Sequence, residues 1–336
     1  MSAISPGDIA RSLMLKRQTA MLKSALAGAS QELTTGRAAD PARALRGDVS
    51  ALAAIERDLG KLTAYRTATT EAKLQAAAQQ TVLEGLSEEA TTLSSRFLGL
   101  GPGLPGSVLD SIAGMGTTAF EGAISALNGR VADRSLFAGA ASDGPALAPA
   151  SQILDALRAE IAGLTDPAEI EARVTDWFTE PGGGFDTTAL LGSPQPAGPV
   201  PIGAGETVRF TVTAARAELR PTLAGLALAA LAADGPPGTT SPQRTDLLQR
   251  AGLRLIQGQA DLPALAGELG IAEAKIATTE TRNAAETNAL TLALDRLVGV
   301  DPYEAAARLE DTRLRIEALY TVTARLQRLT LTEFLR

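Results

Sequence analysis

The sequence predicts a mainly α-helical protein, a long antiparallel helical bundle or coiled coil built from both termini with a small α+β middle domain. Three observations predict it. Apolar residues near both ends recur at spacings of three, four and seven residues, which places them along one narrow helical stripe. Pro and Gly concentrate instead in the middle of the chain. Hydrophobic residues make up 45% of the sequence, yet only 1 Trp, 3 Tyr and 7 Phe are among them. The core must therefore come mostly from Ala, Leu, Val and Ile, side chains that suit close helix–helix contact.

The elements follow in chain order. Leu15, Leu22, Leu26, Ala29 and Leu33, at intervals of 7, 4, 3 and 4, form the seam of a first helix. Thr19 and Ser12 fall on this seam and weaken it, so the helix needs partners to fold. Thr35-Gly36-Arg37 ends it, with Gly36 in the left-handed conformation that closes helices. Asp40-Pro41 starts the next helix: Asp40 caps free N–H groups and Pro41 sits where no N–H is needed. Its seam is Leu45, Leu52, Ile55, Leu59 and Leu62. Gly99–Gly106 is a turn, and Ile112–Asn128 is helical despite Gly114, Gly116 and Gly122.

Residues 138–150 read as a linker, and Ser151 as the cap of a short helix that stops at Gly163. Asp166-Pro167 repeats the Asp-Pro start, with Glu169 placed for a capping box. Residues 179–205 are too rich in Pro, Gly, Ser and Thr for regular helix. Glu206–Thr213 alternates Val208, Phe210 and Val212 against Arg209, Thr211 and Thr213, a strand pattern. Thr222–Ala233 is a buried helix, and 234–242 a second linker. From about Arg244 a long helix passes through Leu265, Leu269, Ile276, Leu290, Leu294 and Leu297 and stops at Gly299. Asp301-Pro302, with Glu304 at the third helical position, opens the final helix. Its seam is Leu309, Ile316, Leu319 and Leu326, spaced 7, 3 and 7. Pairing the first and last helices antiparallel leaves residues 141–243 as an outlying insert.

Composition excludes several chemistries. There is no Cys, hence no disulfide, thiolate nucleophile or Cys-based zinc site. There is no His, hence no imidazole base, Ser-His-Asp triad or HExxH zinc helix. With 31 Lys and Arg against 38 Asp and Glu the net charge is −7, which weighs against nucleic acid. Lys16, Arg17 and Lys23 read as a solvated helix face. The longest apolar run, Leu223–Ala233, is far short of the ~20 residues a spanning helix needs, so no membrane insertion is expected. Met1–Arg17 lacks a continuous apolar core for a cleaved secretory signal. The expectation is a cytoplasmic protein, or one exported by a route that needs no cleaved signal.

The motifs that could carry catalysis fail on context. Gly101-Pro102-Gly103-Leu104-Pro105-Gly106 spells G-x-G-x-x-G, but a helix precedes it where a dinucleotide loop needs a strand. Asp301 and Glu304 are explained by capping, and Glu88-Glu89 by a solvated helix face. Ser24 and Lys23 are sequence neighbours that do not face each other on a helix. No catalytic, cofactor-binding or metal-binding residue is assigned, no cofactor is expected, and the chain does not read as an enzyme.

Three segments resemble the flagellin superfamily, and within it the hook–filament junction proteins. They are Leu33-Thr34-Thr35-Gly36-Arg37 with the following Asp40-Pro41; Asn128-Gly129-Arg130 through Leu136-Phe137-Ala138-Gly139; and Glu317-Ala318-Leu319-Tyr320 through Ala324-Arg325-Leu326 to Phe334-Leu335. The likeness covers roughly residues 1–140 and 245–336. It departs at Arg134-Ser135, where the family usually shows Gly and an aromatic.

The resemblance implies three layers. Residues 1–40 with 300–336 would be an inner coiled-coil layer, 41–140 with 244–299 a helical bundle, and 141–243 a variable outer insert. It implies a structural, extracellular subunit at the hook–filament junction, exported by the flagellar type III apparatus. It would self-associate in a ring or helical layer, and meet hook-associated protein 1, flagellin and a flagellar export chaperone. Leu15, Leu22, Leu26, Leu33, Leu309, Ile316, Leu319, Tyr320 and Leu326 are the expected assembly interface. Two alternatives stand beside it: a flagellin filament subunit, and, from a different class, a secreted helical effector or translocator.

Overall fold

The computed structural model describes residues 6–235 and 238–334, with the side chains at 6–9, 11, 12, 234 and 326–334 outside that description. It is mainly helical, with two small two-stranded sheets, as the seams predict. The described residues fall into two compact units, one within Met1–Thr63 and Ala284–Arg336 and the other within Ala64–Asn283. Helices α3 (Ser50–Leu98) and α8 (Ser241–Val298) each contribute to both.

In the first unit, α1 (Pro6–Thr35) packs on α9 (Pro302–Phe334). Gly36 closes α1 as expected: its φ is 69° and its N–H donates to the Glu32 carbonyl at 2.8 Å. Asp40 caps helix α2 (Pro41–Ala44), its carboxylate accepting from the Arg43 N–H at 3.0 Å. Here the structure corrects the sequence reading. The helix begun at Pro41 ends after four residues, because Arg46 (φ 54°) and Gly47 (φ 90°) turn left-handed. A fresh start follows, with the Asp48 carboxylate accepting from both the N–H and the hydroxyl of Ser50. Leu45 therefore lies outside α3, yet still packs with Ile55, Leu59 and Leu297 around a small core of Leu52, Leu294 and Val298.

The second unit holds the large core. Its centre is α7 (Arg220–Asp234), whose residues 223–232 are nearly all buried, against α4 (Gly106–Leu127). The approach is close: a Cβ at Gly116 would stand 2.5 Å from the Cβ of Ala229. Helix α4 thus begins six residues earlier than its apolar pattern suggests, and Gly116 is there for packing. Helices α5 (Ala150–Glu160) and α6 (Pro167–Thr179) cover α7. Asp166 caps α6, accepting from the Glu169 N–H at 3.3 Å. Ser151 does not cap α5; Pro149 holds that position, with no side-chain cap.

Residues 138–150 are not a linker. Ala138, Ala146, Leu147 and Ala148 are buried. Asn128 fixes the segment from both sides, accepting from the Leu147 N–H at 2.8 Å and donating to its carbonyl at 3.0 Å. The Ala148 N–H donates to Ala189, and Leu191 and Gly192 donate to Ala146. A two-residue turn with left-handed Ala132 and Asp133 joins β1 (Arg130–Val131) to β2 (Arg134–Ser135). The expected strand at 206–213 is shorter than its pattern. Only β4 (Glu206–Val208) pairs, antiparallel with β3 (Val200–Gly203), because that partner is only four residues long and is bulged at Pro201/Gly203. Val208, Phe210 and Val212 do face the core, but Thr213 is buried as well.

Candidate assembly interface

The terminal hairpin begins where the two connectors cross. Arg37 and Gly299 pair antiparallel: Val300 N–H donates to the Gly36 carbonyl at 2.9 Å and Ala38 N–H to the Val298 carbonyl at 2.8 Å. The Arg37 guanidinium reaches Asp295 at 3.1 Å. One turn into the hairpin, Glu32 accepts from the Ala39 N–H and lies 3.4 Å from Arg308. These contacts fix the end of α1 beside the start of α9, so the two helices run antiparallel.

Along α1, the seam of less exposed positions is Leu15, Thr19, Leu22, Leu26 and Ala29, with Gly28 and Glu32 also half-buried near the hairpin end. Along α9 it is Ala305, Leu309, Thr312, Ile316, Leu319 and Thr323, with Ala306 half-buried beside it. Both series alternate four and three residues, the spacing of a coiled-coil seam. Six of the nine residues expected at the interface therefore sit on these two stripes: Leu15, Leu22, Leu26, Leu309, Ile316 and Leu319. Leu33 is exposed at the hairpin end, and Tyr320 is 50% exposed beside the α9 stripe. The Leu326 side chain lies outside the described residues. Ala305, Thr312 and Thr323 escaped the sequence reading because the last helix's seam was traced only through Leu and Ile. The unbroken four-three spacing was the signal for them. Most of the stripe is half-buried, so the seam shields its residues only in part.

Each helix also carries apolar side chains away from the seam. Met14 and Met21 stand open on α1; Tyr303 (84% exposed), Leu314 and Val322 do so on α9. In the second unit, α8 presents Leu253, Ile256, Ala260, Ala264, Gly267 and Ile271 to solvent, an exposed line without charge.

Several charged groups of the second unit are committed to ion pairs. Arg216 binds Glu218 at 2.6 Å and Glu268 at 2.7 Å, and Glu268 also accepts from the Thr211 hydroxyl. The hydrogen bond from Arg216 holds the Glu218 carboxyl below the usual carboxylate range, and the same contact raises Arg216 further. Glu171 bridges Arg250 and Arg254, and Arg220 joins Asp186 at 2.8 Å while lying over the Phe185 ring. A cleft between α3 and the β1–β2 hairpin is lined by Gln75, Gln79, Leu136, Phe210 and Val212. Gln79 donates to the Leu136 and Val212 carbonyls, an anchoring role. Among the described residues, no group of three metal-ligating side chains gathers, and no helix is long and apolar enough to cross a membrane. What the surface offers is helix faces for packing.

Comparison with known proteins agrees with that character. Residues 257–335 match the family model for the bacterial flagellin C-terminal helical region. No curated protein matches the chain. Among solved structures, the fold is similar to that of a chain from Vibrio parahaemolyticus described as a flagellar hook-associated protein. The TM-score is 0.53 at 14% sequence identity, over 74% of this chain and 96% of that one.

Proposed function

From a chain that carries the flagellin-type C-terminal helical region and a hook-associated-like fold, we propose a structural subunit of the bacterial flagellum that sits at the hook–filament junction. The observation that carries this reading is the terminal hairpin. The matched C-terminal region includes all of the α9 stripe, and that stripe packs on α1 by coiled-coil spacing. The segment Leu136-Phe137-Ala138-Gly139 and Tyr320 favour the junction proteins over other members.

The proposed mechanism is mechanical. The outer faces of α1 and α9 differ from one another, Met14 and Met21 on one and Tyr303, Leu314 and Val322 on the other. Contact between unlike faces of successive copies is heterologous, and heterologous contacts close into rings or run on as helical arrays. Residues 1–40 and 300–336 form the inner layer in this arrangement, and 41–140 with 244–299 the next. Residues 141–243 face outward. Hook-associated protein 1 on one side and flagellin on the other are the neighbours, after type III export with a chaperone to the cell exterior. The chain has no catalytic part in this scheme.

Deleting the gene in the source cells tests it. Hooks without filaments, with flagellin lost to the medium, are expected. Normal filaments on the deletion strain contradict it. A second reading, a flagellin filament subunit, is favoured by the flagellin family model itself. It predicts cells whose hooks and junctions persist and whose filaments are shortened or missing, with no flagellin lost to the medium.

A further inference from the structure

We propose that Asn128-Gly129 is a self-modification site that the fold holds inactive, and that reacts with water as co-substrate once residues 138–150 come away. The inference is independent of the assembly reading above. The chain has three Asn, and only Asn128 is followed by Gly; Asn283 and Asn288 each precede Ala within α8. Glycine has no Cβ to shield its nitrogen, and its backbone turns freely. The nitrogen of Gly129 can therefore reach the preceding side-chain amide in an open chain.

The structure blocks that approach in three ways. Asn128 ends α4 at φ −86° and ψ 5°, which turns the Gly129 nitrogen away from the Asn128 Cβ. Leu147 holds the amide from both sides: Nδ2 donates to its carbonyl at 3.0 Å, and Oδ1 accepts from its N–H at 2.8 Å. Gly129 is tied as well. Its N–H donates to the Ala126 carbonyl at 3.0 Å, and its carbonyl accepts from the Leu136 N–H at 3.0 Å.

Release of Leu147 frees the amide. The Gly129 nitrogen gives its proton to solvent and attacks Asn128 Cγ. The new N–C bond forms as the Cγ–Nδ2 bond breaks, and Nδ2 takes a proton and leaves as ammonia. Water then opens the resulting succinimide ring at one of its two carbonyl carbons. Opening at Cγ leaves an aspartate; opening at the main-chain carbon leaves an isoaspartate, with the chain running through Cβ and Cγ. The net change is amide plus water to acid plus ammonia, with no oxidation. Neither product rebuilds the anchor. A carboxylate accepts from the Leu147 N–H but offers the Leu147 carbonyl no donor, and Leu147 is only 1% exposed. Loss of ammonia makes the mark permanent, so it records how long a chain has been open.

The test holds the full-length protein at mildly alkaline pH with and without urea. Peptide mass mapping reads amide-to-acid conversion at all three Asn. In urea Asn128 should convert ahead of Asn283 and Asn288. In the folded chain it should convert at least about tenfold more slowly than in urea, equivalent to an opening free energy of about 1.4 kcal/mol. Asn128→Asp, which supplies one product directly, should raise the unfolded-to-folded ratio roughly tenfold. Equal conversion of Asn128 in the folded and unfolded chain overturns the masking. Conversion in urea no faster than at Asn283 and Asn288 overturns the site itself. An Asn128→Asp chain as stable as its parent overturns the consequence for the fold.

Discussion

Gly139 must remain glycine for two separate reasons. Its φ is 60°, a conformation that side chains disfavour, and a Cβ there would stand 2.3 Å from the Gln195 carbonyl oxygen. Gly139→Ala should destabilise the second unit by about 1–3 kcal/mol in urea unfolding. A loss below the error of the measurement would mean that the 193–195 segment moves aside freely. Asn128 acts similarly through hydrogen bonds, since removing its amide leaves the N–H and carbonyl of buried Leu147 unpaired. Asn128→Ala should lower stability by about 1–3 kcal/mol. Glu218 gives a pH signature. Its folded-state pKa is depressed by Arg216, so its contribution is present above the ordinary carboxylate range and fades as pH falls through the folded value. Unfolding followed from neutral to acid pH should show this loss, and Glu218→Gln should flatten it. An acid limb of equal slope in the variant would remove Glu218 as its source.

The seam decides behaviour at the scale of elements. Leu22 and Ile316 lie on the half-buried stripes of α1 and α9. Leu22→Asp or Ile316→Asp should cost the hairpin about 1–3 kcal/mol and block association. The near-ultraviolet signal of Trp177, in the second unit, should stay native. Association at the concentration of the unchanged protein would show that the stripe is not needed. The stripes were legible in the sequence because a helix seam is a local pattern, and so were the caps at Asp40, Asp166 and Asp301, each a side chain binding an N–H two or three residues on. The length of α2 was not legible, because left-handed Arg46 carries no residue-type signal. Residues 138–150 resemble a linker in composition. Their burial depends on Asn128 and on residues 189–192, partners distant in sequence. The strand at 206–213 was over-extended for the same kind of reason: its own pattern is long, but its partner is short. At the interface, Ala305, Thr312 and Thr323 carry the register without large apolar side chains, so a seam traced through Leu and Ile missed them.

For the whole molecule, the two units differ in what holds them. The second buries one large cluster that includes Phe97, Phe120, Phe137, Phe178 and Phe185. Among the described residues, the first has one small buried cluster, Leu52, Leu294 and Val298, and a half-buried seam interrupted by Thr19, Thr312 and Thr323. Limited proteolysis of the dilute full chain should cut within α1 and α9 first and leave a fragment spanning most of residues 64–283. Early cleavage inside that span, with intact ends, would reverse the assignment of the weaker unit. The hairpin is expected to gain its protection from neighbouring copies, which ties its stability to the place proposed for the chain at the hook–filament junction. The most direct measurement is therefore of that place: immunogold electron microscopy of source cells that carry an epitope inserted in the exposed loop between Ala162 and Gly163. Gold confined to the boundary between hook and filament is the predicted result. Gold along the whole filament, or flagella that bear none while the tagged chain is expressed, would contradict it.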